Sequence, residues 1–162
     1  MRVAPVIAAL SITVLCAQSV AADRVFGPWS LSCPEVDTQP CFIWQSVTVY
    51  PTGGQTVLGA SVRLDDRAGT PEIMLRFSPL SDREAGVRLK VDNRPDYRLP
   101  IRICDAKICE ARGRLHGPVL EQFRSGKVSQ VTFVAADGQH TARLSLEGFT
   151  PALRALERTQ TR

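Results

Sequence analysis

Four cysteines are the residues whose type and spacing most clearly indicate chemistry. Cys33, Cys41, Cys104 and Cys109 remain once the N-terminal segment that carries Cys16 is removed, and an even number of thiols in an oxidising compartment favours two disulfides. Four cysteines allow three connectivities. We predict Cys33–Cys41 and Cys104–Cys109, because each pair brackets a short, turn-like segment that can bring the two sulfur atoms within bridging distance.

Zinc binding is the competing chemistry for four thiolates. Neither cysteine spacing is the Cys-x-x-Cys of a zinc knuckle, and the same absence argues against a redox-active pair. We therefore expect no bound metal, and the sequence indicates no cofactor.

The residue types that catalysis most often uses form no recognisable motif. The sequence contains no G-x-S-x-G elbow, H-E-x-x-H helix, P-loop or strand-linked G-x-G-x-x-G. His116 lies in an Arg-Leu-His-Gly-Pro turn and His140 at a predicted strand start, while Asp65 and Asp66 are typical of a turn. We predict that the protein is not an enzyme. A pocket that joins a histidine to a carboxylate and a hydroxyl would instead favour a hydrolase.

A predicted hairpin carries the strongest charge pattern. Basic residues alternate with apolar ones on its two strands, namely Arg88, Lys90, Arg98 and Arg102. If Val91 pairs with Tyr97, Lys90 faces Arg98, and this like-charge contact costs some tenths of a kcal/mol unless an anion or an acid lies nearby. We hypothesise an anion-binding patch for lipopolysaccharide, an anionic glycan or an acidic protein surface. The alternative is a solvated outer face whose charge Asp92 and Asp96 relieve.

The first 22 residues have the pattern of a secretory signal peptide. Met1-Arg2 is a short positive start, residues 3–15 are nearly all apolar, and small residues precede a predicted cleavage after Ala22. The apolar run of about a dozen residues is shorter than the ~20 that a membrane-spanning helix needs. We therefore expect a periplasmic or secreted protein without a transmembrane anchor.

Composition and charge fit one globular domain. The chain has 162 residues, of which 44% are hydrophobic, 22% charged and 6% aromatic, a balance that excludes a disordered chain and a polytopic membrane protein. Removal of residues 1–22 takes away Arg2 and leaves 19 basic against 16 acidic residues, a net charge of +3. This mild charge, without an arginine run, argues against nucleic acid as a partner. We assign residues 23–158 to a single domain and 159–162 to a loose tail.

Short alternating runs separated by glycine, proline and aspartate predict an antiparallel all-β domain. The predicted strands lie near 26–33, 41–50, 56–64, 72–78, 86–91, 97–104, 128–135 and 139–147. One short helix is predicted after Gly117, with Pro118 in its first turn and Gly126 at its end. A second is predicted from Thr150 to Glu157, with Thr150 as its N-cap.

The hairpin closed by the first predicted disulfide has a defined register. It places Leu31 opposite Ile43 and Trp29 opposite Gln45. Both faces of its second strand are largely apolar, which is typical of a central strand. We therefore expect Trp29 and Trp44 to lie in the core.

Several short motifs occur in order along the mature chain. They are Phe26-Gly27-Pro28-Trp29 with Cys33, Cys41 with Gln45 four residues later, Arg98-Leu99-Pro100 with Cys104 and Cys109, and Leu146-Glu147-Gly148-Phe149-Thr150-Pro151-Ala152-Leu153. Their order and the paired cysteines resemble the invasion-associated locus B family over roughly residues 26–157. The resemblance implies an immunoglobulin-like antiparallel β-sandwich with one or two short helices, in a bacterial envelope or secreted protein. It further implies a part in entering host cells for pathogenic members, and it brings no catalytic residues.

The expected function is non-enzymatic binding at the envelope or outside the cell, with a contribution to host-cell interaction or invasion. The alternative is a periplasmic accessory or chaperone-like protein that pairs an exposed strand edge with its clients. A long, uncharged edge strand favours this alternative, whereas a short edge that carries arginine argues against it.

Overall fold

The computed structural model describes residues 24–34, 39–49, 56–65, 69–79, 81–136 and 138–160. The predicted signal peptide, residues 1–22, lies outside these ranges. So does the predicted turn at residues 51–54. In the described part of the chain, no helix is long and apolar enough to cross a membrane.

The strands form two antiparallel sheets. In chain order the elements are β1 (Arg24–Phe26), β2 (Trp29–Ser32), β3 (Phe42–Val49), β4 (Thr56–Leu64), β5 (Pro71–Phe77), β6 (Val87–Val91), β7 (Tyr97–Leu99), β8 (Ile101–Cys104), β9 (Cys109–Arg114), α1 (Gly117–Ser125), β10 (Val128–Ala135), β11 (Gly138–Ser145) and α2 (Phe149–Glu157). The large sheet has the order β1-β2-β3-β4-β5-β9-β8, and the small sheet has the order β11-β10-β6-β7. The predicted β-sandwich with two short helices is confirmed.

The core lies between the sheets, where alternate residues of each strand point inward. The pattern is clearest in β6, whose Val87, Leu89 and Val91 are buried while the residues between them are exposed. Phe77 of the large sheet packs on Phe133 of the small sheet with a centroid distance of 4.6 Å. Each such side chain contributes about 1.5–3 kcal/mol by leaving water, so the aligned faces hold the sandwich together.

The predicted strand 97–104 is divided at Pro100. Proline has no N–H to give to a ladder, and the chain passes there from β7 in the small sheet to β8 in the large sheet. The Pro100 carbonyl accepts a hydrogen bond from the Arg112 N–H at 3.3 Å. At this crossing Leu99 packs so closely on Gly113 that a Cβ atom on Gly113 would overlap its side chain. The passage between the sheets is here a single residue long.

Strand β9 was not predicted from the sequence. Its inward face is provided by Cys109 and Ala111, and small residues give only a weak hydrophobic alternation. Pairing with β5 on one side and β8 on the other decides that this segment is a strand. A predicted single strand at 26–33 is likewise divided, because Gly27 and Pro28 turn β1 back on β2.

Both predicted disulfides are confirmed. Cys33 and Cys41 are bonded with their Cα atoms 4.2 Å apart, and Cys104 and Cys109 with theirs 4.0 Å apart. The second bond joins β8 to β9 across a tight turn. In this turn the Asp105 carboxylate accepts the backbone N–H groups at positions 107 and 108, which lowers its pKa.

Helix α1 begins at Gly117, one residue earlier than predicted, and ends before Gly126 as predicted. Helix α2 begins one residue earlier than predicted, because its N-cap is Gly148 in the left-handed conformation at φ +77°. A Cβ atom on Gly148 would overlap the Phe26 carbonyl oxygen, so β1 and α2 meet where only glycine fits. The predicted N-cap role of Thr150 is wrong, since its hydroxyl donates to the Arg124 carbonyl of α1 at 2.9 Å.

The register predicted for the first hairpin is confirmed, with Leu31 opposite Ile43. Strand β3 lies between β2 and β4 and is therefore central in the large sheet. Trp29 is fully buried, but Trp44 is 38% exposed. The prediction for Trp44 is wrong because it lies on the outer face of this sheet, which the small sheet does not cover.

Candidate functional site

The predicted basic hairpin forms, but its register differs by two residues. Val87 pairs with Leu99 and Arg88 with Arg98, so Arg88 rather than Lys90 faces Arg98. Since the shift is even, the three basic side chains still share the outer face of the small sheet. The predicted pairing of Lys90 with Arg98 is wrong, while a like-charge contact across the hairpin remains.

Asp92 accounts for the shift. Its backbone is left-handed at φ +49°, and its N–H donates to the Val128 carbonyl at 2.9 Å. Its carboxylate accepts the N–H groups of Lys127 and Val128, each at 3.1 Å, and these bonds lower its pKa. Because they hold the turn against the start of β10, Lys90 lies beyond the last pair between β6 and β7.

Outward side chains of β6, β10 and β11 line a trough of about 570 Å³ on the outer face of the small sheet. We call it the cationic trough. It includes Arg88, Lys90, Gln130 and Gln139 on the strands and Arg94 and Asp96 on the loop after β6. An adjoining depression of about 320 Å³ shares Arg88 and Gln139 and adds Arg98. Guanidinium, ammonium and amide donors thus converge on a concave surface, which suits an oxygen-rich anion.

Positive charge exceeds negative charge in the cationic trough. Asp96 Oδ2 lies 3.9 Å from Arg88 Nη1 with both side chains more than half exposed, so this pair contributes at most about 1 kcal/mol. Arg94 Nη1 donates to Ser125 Oγ at 2.8 Å, which holds its guanidinium beside α1. Among the described residues, Lys90 forms no ion pair. One carboxylate therefore faces several cations.

Arg102 does not lie in the cationic trough. It follows Pro100 and belongs to β8 in the large sheet, where its carbonyl accepts a hydrogen bond from Arg83 Nη2 at 3.3 Å. The structure thus brings together three of the four predicted patch residues. Sequence reasoning missed Arg94, because a loop residue takes no part in the strand alternation that identified the others.

The edge strands of the two sheets differ in length. β1 and β7 have three residues and β8 has four, whereas β11 has eight. The Leu146 N–H donates to the Lys127 carbonyl. Because hydrogen-bonded and non-hydrogen-bonded pairs alternate along an antiparallel ladder, the N–H and C=O groups of Gln139, Thr141 and Arg143 point away from β10. Strand β11 therefore offers a long edge that carries one charged residue, Arg143.

Three of the four motifs behind the family resemblance meet between the two sheets. Trp29 Nε1 and Gln45 Nε2 both donate to the Ser145 carbonyl, at 2.9 and 3.1 Å, and the Ser145 N–H donates to Gln45 Oε1 at 3.0 Å. The Trp29 ring packs edge to face on Phe149 of α2 at 5.3 Å. We call this cluster the joint. It holds the N-terminal hairpin against β11 and α2, so these residues are structural and do not form a binding surface.

The two histidines lie on separate elements. His140 is on β11, where its ring stacks on Phe133 at 5.4 Å, and His116 is the exposed residue before α1, with Nδ1 3.2 Å from the Arg114 carbonyl oxygen. In the parts of the chain that the structure describes, no three metal-ligating side chains come together.

The chain is similar to known proteins in both sequence and fold. The family model described as "Invasion associated locus B (IalB) protein" matches residues 29–157, which include the joint and both disulfides. The chain belongs to the invasion associated locus B family. The crystal structure of invasion associated protein B from Bartonella henselae has a TM-score of 0.72 and 24% sequence identity, over 88% of this chain and 100% of that one. This IalB-family structure shows the same fold. No curated protein matches the sequence.

Proposed function

We propose that this IalB-family chain is an exported, non-enzymatic binding protein that attaches to an anionic glycan through the cationic trough. The observation that carries the proposal is the placement of Arg88, Lys90 and Arg94 around the cationic trough with a single carboxylate, Asp96. Arg98 lines the adjoining depression, which shares Arg88 with the trough. The basic side chains can pair with sulfate, phosphate or carboxylate groups, while the trough amides can pair with sugar hydroxyls.

Electrostatics favours an anionic partner over a solvated face with no ligand. Arg88 and Arg98 are direct cross-strand neighbours, and such like-charge pairs destabilise a sheet by some tenths of a kcal/mol. Asp96 beside Arg88 and the Glu84 carbonyl that accepts a hydrogen bond from Arg98 relieve part of this repulsion. An anion between the two arginines removes the remaining repulsion and makes charge-assisted hydrogen bonds. Anion binding is therefore favoured, because it relieves a repulsion between arginines that is present in the unliganded protein.

Export is supported by the predicted signal peptide and by two disulfides, which persist in oxidising compartments. A contribution to host-cell interaction is proposed from family membership and from the name of the Bartonella henselae protein. Location is tested by protease accessibility of the tagged protein on intact bacteria, with culture supernatant and released periplasm assayed in parallel. Exposure or release supports adhesion, whereas strict protection contradicts a role at the cell surface.

Charge reversal tests the site. The double variant Lys90→Glu/Arg98→Glu should bind immobilised heparin and lipopolysaccharide at least about tenfold more weakly than the wild type, and wild-type binding should weaken with added salt. Arg102→Glu is the matched control, because it reverses the same charge on the other sheet. The two immobilised glycans distinguish a host glycan from a bacterial one. Binding that is insensitive to salt, or equal losses in both variants, would contradict the proposal.

The length of β11 favours a second candidate function, in which a client strand pairs with this edge. Its outward-facing backbone N–H groups could bond to a peptide, so Thr141→Pro should abolish client binding while leaving the ladder to β10 intact. Thr141→Val is the control, since it also removes the hydroxyl that lies 3.1 Å from Thr132 Oγ1 but keeps the N–H. Client protection that persists in Thr141→Pro would exclude the edge.

A further inference from the structure

A second concave surface lies on the outer face of the large sheet, on the opposite side of the sandwich from the cationic trough. It is a groove of about 450 Å³ lined mainly by apolar atoms, with Trp44, Phe42 and Met74 along its walls and Gly59 and Ser61 between them. This volume lies in the range of about 300–1,000 Å³ typical of small-molecule sites. We call it the Trp44 groove.

The sheet register leaves the Trp44 indole uncovered. Its two cross-strand neighbours are Ser30 on β2 and Ser61 on β4, and the next outward position on β4 is Gly59, which pairs with Ser46. A large outward side chain is normally shielded by its cross-strand neighbours, but here these neighbours are small. The indole is consequently 38% exposed beside a floor of small residues.

The arginines at the groove are paired with carboxylates of the same sheet. Arg63 donates through Nε and Nη2 to Glu72 Oε2 at 3.0 and 2.9 Å, and Arg76 Nε donates to Glu110 Oε2 at 3.1 Å. The two guanidinium groups are therefore held in place at the rim, although Glu110 is shared between Arg76 and Arg112. The carboxylates beside them disfavour a polyanion, and the guanidinium groups disfavour a cation on the indole face.

We propose that the Trp44 groove binds the neutral pyranose ring of a saccharide, stacked on the indole of Trp44. The C–H face of such a ring packs on an aromatic surface, while its hydroxyls can reach Ser61 and the rim guanidinium groups. A purely apolar side chain from a peptide would desolvate these polar groups without replacing their hydrogen bonds, which costs free energy. A ring with an apolar face and a polar edge matches both parts of the groove.

The test uses the different environments of the two tryptophans. Trp29 is fully buried and donates to Ser145, so ligand-dependent changes in emission and in acrylamide quenching report Trp44. The mature protein is titrated with maltose, cellobiose, lactose and N,N′-diacetylchitobiose. For the Trp44→Ala variant, which lacks the fluorescent reporter, binding is measured by calorimetry. At least one of these sugars should protect Trp44 from acrylamide quenching in a saturable manner, with a dissociation constant of about 1 mM.

Two variants locate the sugar. Gly59→Val fills the floor of the groove while the indole is retained. The variant should fold, because a Cβ atom there lies 3.9 Å from its nearest neighbours, the Cβ and carbonyl oxygen of Arg76. This variant and Trp44→Ala should each weaken binding at least about tenfold. Arg98→Glu, which changes the depression adjoining the cationic trough, should leave sugar binding unchanged, so failure of this proposal is distinguishable from failure of the anionic site.

Several outcomes would overturn the assignment. They are the absence of saturable protection with any of the four sugars, binding that survives both Gly59→Val and Trp44→Ala, and binding lost in Arg98→Glu alone. Protection of Trp44 that grows with protein concentration in the absence of sugar would instead identify a second copy of the chain as the occupant.

Discussion

Replacement of Gln45 by leucine should destabilise the fold because the Ser145 N–H loses its hydrogen-bond acceptor. Gln45 is 5% exposed, and its amide makes two hydrogen bonds to the main chain of Ser145. Leucine has a similar size but no polar atoms, so the substitution leaves little cavity. The Ser145 carbonyl keeps its bond from Trp29 Nε1, whereas the Ser145 N–H loses its partner.

The expected loss follows from that N–H. A buried donor left without a partner costs about 1–3 kcal/mol. At about 2.1 cal/mol/K of unfolding entropy per residue, a folded domain of about 140 residues loses about 3–4 °C of Tm per kcal/mol. Gln45→Leu should therefore melt about 3–10 °C below the wild type in calorimetry or circular dichroism.

Two further variants make the test specific. Ser46→Ala, an exposed neighbour on the same strand, should change stability by less than about 0.5 kcal/mol. Trp29→Phe combined with Gln45→Leu removes both donors to the Ser145 carbonyl, so the double variant should lose more than the sum of the single losses. A Gln45→Leu protein that melts with the wild type, or strictly additive losses, would refute the reasoning.

Three other substitutions have expected outcomes that unfolding experiments can check. Gly148→Ala should prevent folding or shift the protein to an unfolded, protease-sensitive form, because the added Cβ overlaps the main chain of β1 and the backbone is left-handed. Burial raises the pKa of Glu110, but hydrogen bonds from Arg112 and Arg76 outweigh this effect, so the pKa lies below its usual value of 4.5. The stabilisation by the ionised carboxylate is complete above pH 4.5 and is lost as the pH falls through the lower folded-state pKa, so the stability gap between the wild type and Glu110→Gln should narrow on acidification. Ser129→Ala should leave stability unchanged or raise it by about 1 kcal/mol, since the fully buried Ser129 Oγ has no hydrogen-bond partner among the described residues; a clear loss of stability would show that this hydroxyl is satisfied.

Residues of the family motifs maintain the fold of this protein. Trp29, Gln45 and Phe149 are engaged with one another through Ser145 and the core, so they maintain the arrangement of the sheets. The cationic trough and the Trp44 groove lie on outer faces, although Gln45 of the joint also lines the Trp44 groove. Family membership accordingly explains the sandwich, while the two proposed ligand sites consist mainly of exposed residues outside the motifs, with Arg98 as an exception.

The candidate site could be predicted only in part. Alternation placed Arg88, Lys90 and Arg98 on one face of a hairpin, and an even error in register does not change the face. Arg94 could not be found in this way, since its position depends on the turn that Asp92 anchors to β10. The Trp44 groove was missed for a different reason, because an apolar strand face looks the same in sequence whether or not another layer covers it.

Local sequence determined most of the strands, both helices and the two disulfides of this protein. Hydrophobic alternation and turn residues act over a few neighbouring positions, and each cysteine pair is separated by a short turn, so nearby residues suffice to specify them. Tertiary structure alone decided that the chain changes sheets at Pro100 and takes Arg102 away from the basic patch. It also decided that β9 is a strand and that Trp44 faces solvent. These features depend on which strands become neighbours and which faces are covered, and such contacts join residues far apart in the chain.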